Sequence, residues 1–260
     1  MKIHSNGIEI ACDVAGRDGK GPWLILAHSL ATHRGLWQPQ VAALRDRFRI
    51  LSFDMRGHGA SSAPEGAYSF EQLAADVIGL MDALEIGTAR YVGLSIGGMV
   101  GQFLGLLAPQ RFERLVLAGV TSHIPAAGAA LWDQRIDTVR QQGMEVMVES
   151  TLERWFTPSF RAAQPEMMAR VGDMVRATPV AGYIGCGRAL QTLDITDRLP
   201  AITTLTLVLA GAEDMGTPVA ASRAVADSIP GARFELIPQA SHISCLEQPE
   251  AFNRLLLEFL

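Results

Sequence analysis

The stretch YVGLSIGGMV, residues 91–100, places one serine among three glycines. A serine hydroxyl is a weak nucleophile until a neighbouring base takes its proton. The spacing Gly93-x-Ser95-x-Gly97 is that of a nucleophile elbow, where the chain turns sharply from strand to helix and thrusts the serine Oγ outward. Flanking glycines keep such a strained turn free of clashes with the following helix. The helix N-terminus also aims amides and positive dipole at the same point, which suits a developing oxyanion. A bland alternative is a tight turn that merely needs small residues. The apolar run RYVGL before the serine and the helical pattern GGMVGQFLGLLA after it favour the chemical reading.

Such a serine requires a histidine base and a carboxylate to orient it. Six histidines are available. His4 lies in the first hairpin, His28 ends a buried run, His33 and His58 lie in loops, and His123 opens a long helical stretch. His242, in IPQASHISCLEQPE, follows the last strand-like run, which puts its loop over the elbow. The chain order serine, acid, histidine is the one that goes with this elbow. The acid must then follow a strand between Ser95 and His242. TLTLVLAGAEDMGTP offers Glu213 and Asp214, and the turn through Gly216 and Pro218 favours Asp214, with Glu213 second. Asp194 and Asp197 precede that strand, and Asp54 lies ahead of the serine. The oxyanion needs two donors, and the backbone amides of Ile96 and Leu30 are the candidates; their apolar side chains are no objection.

These residues need a scaffold that brings distant loops together. KIHSNGIEIACDVAG alternates about Asn6-Gly7 as a hairpin does. WLILAHS and FRILSFD are continuous apolar runs of the kind buried on both faces of a sheet. RYVGL, RLVLAGV, TLTLVLAG and ARFELIP complete the strands. Helical spacing marks LWQPQVAALRDR, SFEQLAADVIGLMDALEI and the final PEAFNRLLLEFL, the second opening with a capping pattern from Ser69 to Gln72. Alternating strands and helices predict an α/β fold with a mostly parallel twisted sheet of about eight strands and helices on both faces. From residue 121 to 199 no strand is predicted, only Met-, Ala- and Arg-rich helical segments. The expected organisation is a core of 1–120 and 200–260 with a helical cap inserted at 121–199.

Composition narrows the function. The 260 residues, 48% hydrophobic, suffice for a substantial core. A net charge of −5 argues against nucleic acid or anionic membrane as partner. No run reaches the roughly 20 apolar residues of a spanning helix, and Cys12, Cys186 and Cys245 form no CxxC pair. A soluble cytoplasmic protein is expected. No metal site has the required spacing. The glycines at the elbow lack a Walker lysine or a clean dinucleotide pattern, so no cofactor is expected.

The elbow and the His242 loop resemble the α/β-hydrolase superfamily, over the whole chain. DMRGHGASSAPEGAYSFEQLAADV, GLSIGGMVGQ, LWDQRIDTVRQQGM, ERWFTPSF, TDRLPAITTLTLVLAGAEDMGTP and ASHISCLEQPEAFN are together similar to 3-oxoadipate enol-lactonases. The resemblance implies opening of 3-oxoadipate enol-lactone to 3-oxoadipate in bacterial aromatic degradation, without cofactor. That lactone carries a carboxylate, for which Arg135, Arg154 and Arg188 are candidates. Arg135 is preferred because it lies three residues after Trp132 and both match the family. Trp132 and Trp155 are expected to wall the pocket or to anchor cap helices, and His123 to line the entrance; the Met-rich stretches fit packing better than recognition. His28-Ser29-Leu30-Ala31 departs from the family's usual Asn-Ser-Leu-Gly, and GVTSHIP from its usual Asn-Thr-Ala. Other readings stay open: a carboxylesterase or lactonase for a neutral substrate, a carbon–carbon bond hydrolase with the same triad, and a non-catalytic binding protein on the same scaffold. An aspartate nucleophile, as in haloalkane dehalogenases, is disfavoured by the serine at 95.

Overall fold

The apolar runs form an eight-stranded sheet in the computed structural model, which describes residues 1–16 and 21–260. The strands are β1 (Lys2–Ser5), β2 (Ile8–Gly16), β3 (Trp23–Ala27), β4 (Arg49–Phe53), β5 (Ala89–Leu94), β6 (Phe112–Ala118), β7 (Leu205–Gly211) and β8 (Arg233–Ile237). Their spatial order is β1-β2-β4-β3-β5-β6-β7-β8. The first two strands pair antiparallel through the turn at Asn6-Gly7, both residues having positive φ (47° and 77°), as a two-residue hairpin loop needs. β2 also pairs antiparallel with β4, and along the order from β4 to β8 the pairings are parallel. Parallel strands need helical crossovers, and these cover both faces of the sheet. That is why β3 and β5 are apolar along nearly their whole length instead of alternating.

The helices are α1 (Gln38–Leu44), α2 (Phe70–Ala83), α3 (Ile96–Leu107), α4 (Ala126–Gln142), α5 (Val148–Trp155), α6 (Pro158–Ala163), α7 (Pro165–Arg176), α8 (Val180–Gln191), α9 (Val219–Ser228), α10 (Ser244–Glu247) and α11 (Pro249–Phe259). The predicted first helix, LWQPQVAALRDR, is split. Arg34–Trp37 forms a 3-10 turn, and the α-helix proper begins where Pro39 can occupy an early position without losing a hydrogen bond. Helices α4 to α8 fill the chain between β6 and β7, with α4 packed on α8 and α5 on α7. The chain enters and leaves this helical segment through a paired neck. Ile124 N donates to Leu193 O (2.9 Å), Ile195 N donates to Ser122 O (2.9 Å), and the Ser122 and Thr196 hydroxyls meet at 2.7 Å.

Ser69 caps α2 with its hydroxyl, which accepts from the Gln72 amide at 3.1 Å. Because Ser69 is exposed and the bond is local, Ser69→Ala should lower unfolding free energy by about 1 kcal/mol without altering activity. Urea denaturation measures this, and an unchanged midpoint would contradict the capping role.

Candidate active site

Ser95 stands between β5 and α3 with φ 56° and ψ −121°, a conformation that L residues rarely adopt. The surroundings enforce it. The Ser95 amide donates to Ala118 O on β6 (2.7 Å), and the buried Tyr91 hydroxyl donates to Gly97 O (2.7 Å). A Cβ on Gly93 would overlap the Gly97 backbone, and one on Gly97 would overlap the carbonyls of Ala27 and His28. The glycines therefore let the elbow press against the end of β3. Ile96 opens α3, so its amide has no intrahelical acceptor.

His242 follows β8, and Asp214 follows β7. The imidazole Nδ1 lies 3.0 and 3.1 Å from the two Asp214 carboxylate oxygens, and both residues are buried. The Asp214 carboxylate also accepts from the amides of Gly216 (2.8 Å) and Thr217 (2.7 Å), which fixes it in place. Glu213 is exposed and does not reach the ring. A Cβ on Gly216 would lie 2.6 Å from His242 Cγ, so that position must be glycine for the imidazole to fit. His242 and Ser95 line one cavity, although no Ser95–His242 hydrogen bond is formed among the described residues.

Sequence reasoning missed a buried carboxylate, Glu247, that ties the histidine loop to the helical segment. It accepts from the Thr157 amide (2.8 Å), the Thr157 hydroxyl (2.9 Å) and the Ser241 amide. Burial pushes its carboxyl above the usual range, against these donors. Beside it, Ile243 N donates to Trp155 O (3.1 Å), and the Ser241 hydroxyl donates to Arg154 O (3.2 Å). No local pattern announces these contacts, because Thr157 and Glu247 are 90 residues apart.

The cavity holds about 620 Å³ and is mostly apolar. Leu30, Trp132, Arg135, Trp155 and His123 all line it, as does Arg154. Trp155 is buried, its ring 6.3 Å from that of His242. Trp132 tilts against Tyr183 at 6.1 Å, and the Arg135 guanidinium sits 5.0 Å from the Trp132 ring centroid. Both tryptophans line the cavity and also pack against neighbouring rings. His123 is exposed and lies 3.3 Å from Asp194 across the neck. Arg188 does not line the cavity. It pairs with Asp133 (2.6 Å) on the outer side of α4 and also bonds Gln191. Arg135 and Arg154 have no carboxylate partner among the described residues; burial pulls both below the usual guanidinium pKa, and each adds to the positive field of the cavity.

Leu30 lies in the loop after β3, and its amide has no acceptor among the described residues. Two fully buried histidines hold that loop. His28 Nε2 faces the Met55 amide (2.9 Å), and His58 Nε2 faces the Ala31 amide (3.1 Å). Burial, and for His28 the nearby His58, lowers the His28 pKa well below its usual value; burial takes His58 down to about 4. Among the described residues no cluster of three or more His, Cys, Asp and Glu side chains is placed to hold a metal ion, and no helix is long and apolar enough to cross a membrane.

A nucleophile elbow on a parallel sheet, with an imidazole–carboxylate pair arriving from later loops, defines a class. The chain belongs to the alpha/beta hydrolase fold family, whose sequence profile matches residues 22–249, and it is a hydrolase. It is 39% identical over 232 residues to 3-oxoadipate enol-lactonase 2 of Acinetobacter baylyi, covering 89% of this chain and 86% of that protein. It is 34% identical over 260 residues to 3-oxoadipate enol-lactonase 1 of the same organism, covering 100% and 96%. The crystal structure of the enol-lactonase from Burkholderia xenovorans LB400 matches with a TM-score of 0.96 at 36% identity, covering 100% of this chain and 99% of that one.

The buried imidazoles set a pH dependence. His58 is neutral in the fold but takes a proton below about pH 6.5 once unfolded. Between there and about pH 4 the unfolded chain binds more protons, so stability falls on acidification across that window. The loss is about 1.4 kcal/mol per pH unit for this one group. Urea denaturation across that range should show a slope shallower by one proton in His58→Phe; the same slope in both proteins would refute the assignment.

Proposed function

We propose that the protein is a soluble, cytoplasmic serine hydrolase that opens 3-oxoadipate enol-lactone to 3-oxoadipate, without cofactor. The relatives' activity and the three free, buried cysteines support this reading. The observation that carries it is the pair of cavity arginines, Arg135 and Arg154, left without carboxylate partners beside Ser95 and His242. An apolar pocket holding unpaired guanidinium groups favours a substrate that brings its own carboxylate. Helices α4 to α8 serve as the cap that supplies these side chains.

In the proposed mechanism His242 Nε2 takes the Ser95 proton as Oγ attacks the lactone carbonyl. Asp214 keeps the Nδ1 proton in place and stabilises the imidazolium. The amides of Leu30 and Ile96 hold the tetrahedral oxyanion, each donor contributing about 3–4 kcal/mol by analogy with measured oxyanion holes. Collapse breaks the ring C–O bond and expels an enolate, which His242 protonates and which tautomerises to the ketone. Water, deprotonated by His242, then attacks the acyl-enzyme; the second collapse frees the carboxylate product and returns the proton to Ser95.

Ser95→Ala should remove nearly all turnover while the far-UV spectrum and Tm stay those of the wild type; retained turnover contradicts the nucleophile assignment. Arg135→Met should lower kcat/KM for the enol-lactone by about 10- to 100-fold, the worth of a hydrogen bond to a charged group. Turnover of p-nitrophenyl acetate should stay within about twofold, since that ester carries no carboxylate for Arg135 to hold. If wild-type enzyme instead prefers neutral lactones or aryl esters by more than about tenfold, the anionic substrate is wrong and the neutral-ester reading replaces it.

A further inference from the structure

His28 and His58 stand outside the proposed triad, and neither lines the cavity. Both are completely buried, with their rings edge to face at 5.1 Å between centroids. Their hydrogen bonds settle their protonation. His28 Nδ1 lies 2.8 Å from Ser29 O, and a carbonyl can only accept, so Nδ1 carries the hydrogen. Nε2 is then the lone-pair nitrogen, and it accepts from the Met55 amide. His58 repeats the arrangement, with Nδ1 3.1 Å from Arg56 O and Nε2 accepting from the Ala31 amide. Thr32 Oγ1, which donates to Ser29 O (2.8 Å), also approaches His28 Nδ1 at 3.3 Å.

Each ring thus binds a carbonyl of its own loop through Nδ1–H and takes an amide from the other loop through Nε2. The lacing is reciprocal: His28 of the 28–32 loop holds Met55, and His58 of the 55–61 loop holds Ala31. Ala31 has φ 57°, a costly conformation for an alanine. It directly follows Leu30, the residue whose free amide is required for the oxyanion. Without the His58 acceptor, the Ala31 amide would be buried and unpaired, and the strained turn would lose the bond that holds it open.

We infer that His28 and His58 are positioning residues which, as a reciprocal pair of neutral imidazoles, hold the Leu30 amide at the oxyanion position. The inference rests on the reading of Ser95 as nucleophile. The imidazole of His28 spans from the end of β3 to the neighbouring loop, accepting there while donating at its other nitrogen.

The test compares wild type, His58→Phe and His58→Gln with p-nitrophenyl acetate as substrate and phenylboronic acid as inhibitor. The boronate forms a tetrahedral adduct that places an oxygen where the oxyanion would lie. Phenylalanine fills the space without an acceptor, whereas glutamine can offer one N–H and one carbonyl. For His58→Phe, kcat should fall about 10- to 100-fold, less than the roughly 10²- to 10³-fold of deleting an oxyanion donor. KM should stay within about twofold, and boronate binding should weaken by a factor similar to the loss in kcat. His58→Gln should regain much of both. Unchanged kcat and boronate affinity in folded His58→Phe, or a loss carried by KM alone, overturns the inference. Should that variant not fold, imidazole 15N spectra of the wild type at neutral pH decide the matter: two neutral Nδ1–H rings are expected, and an Nε2–H or charged ring at either position overturns it. Failure of wild type to bind the boronate, with turnover unaffected by Ser95→Ala, would refute the serine-hydrolase reading itself, a different result from either.

Discussion

The conformation of one residue governs the arrangement of all the others. Ser95 holds φ 56° at the junction of β5 and α3, a state worth about 1–3 kcal/mol of strain that persists only where the surroundings over-determine it. Here they do. β5 lies between β3 and β6 in the parallel part of the sheet, the Ser95 amide is anchored on Ala118, and α3 is packed so closely that Gly97 abuts the end of β3. The hydroxyl is consequently fixed at the C-terminal edge of the sheet. Leu30 after β3, Asp214 after β7 and His242 after β8 all reach that same edge, because parallel strands deliver their following loops to one side.

Around that hydroxyl, charge is distributed with economy. The Asp214–His242 pair is buried, and among the described residues each hydrogen-bond partner of the Asp214 carboxylate is a donor. Two imidazoles in the neighbouring loops are kept neutral by burial, so they act as rigid hydrogen-bonding spacers and add no charge beside the elbow. Among the described residues, the arginines that line the cavity are Arg135 of α4 and Arg154 of α5. Glu247, buried and not among the cavity-lining residues, joins the histidine loop to the segment that carries Arg154 and Trp155. Helix α5, with the turn that follows it, and the loop that bears His242 are thus hydrogen-bonded to one another.

How much of this was legible in the sequence depends on the range of the interaction. The elbow and the hairpin at Asn6-Gly7 declare themselves within a few residues, because glycine spacing and turn chemistry are local. The strands of the parallel sheet were legible as apolar runs, since burial on both faces leaves no polar positions. Asp214 could be separated from Glu213 only by guessing how the loop turns; the amides of Gly216 and Thr217 accomplish that turn in the fold. Arg154 and Arg188 looked equivalent, yet Asp133 draws Arg188 to the outside. His58 gave no hint of a partnership with Ala31, 27 residues earlier, nor Glu247 with Thr157. Such contacts depend on how loops meet once the sheet has formed, and composition carries no trace of them.

Reaction with a fluorophosphonate, followed by mass spectrometry of the peptides, examines the elbow's chemistry most directly. A single phosphonyl adduct on the Ser95 hydroxyl, formed at a rate that drops by orders of magnitude in His242→Ala, is the predicted result. A wild-type protein that stays unmodified, or one labelled equally fast without His242, would mean that the strained serine is not an activated nucleophile.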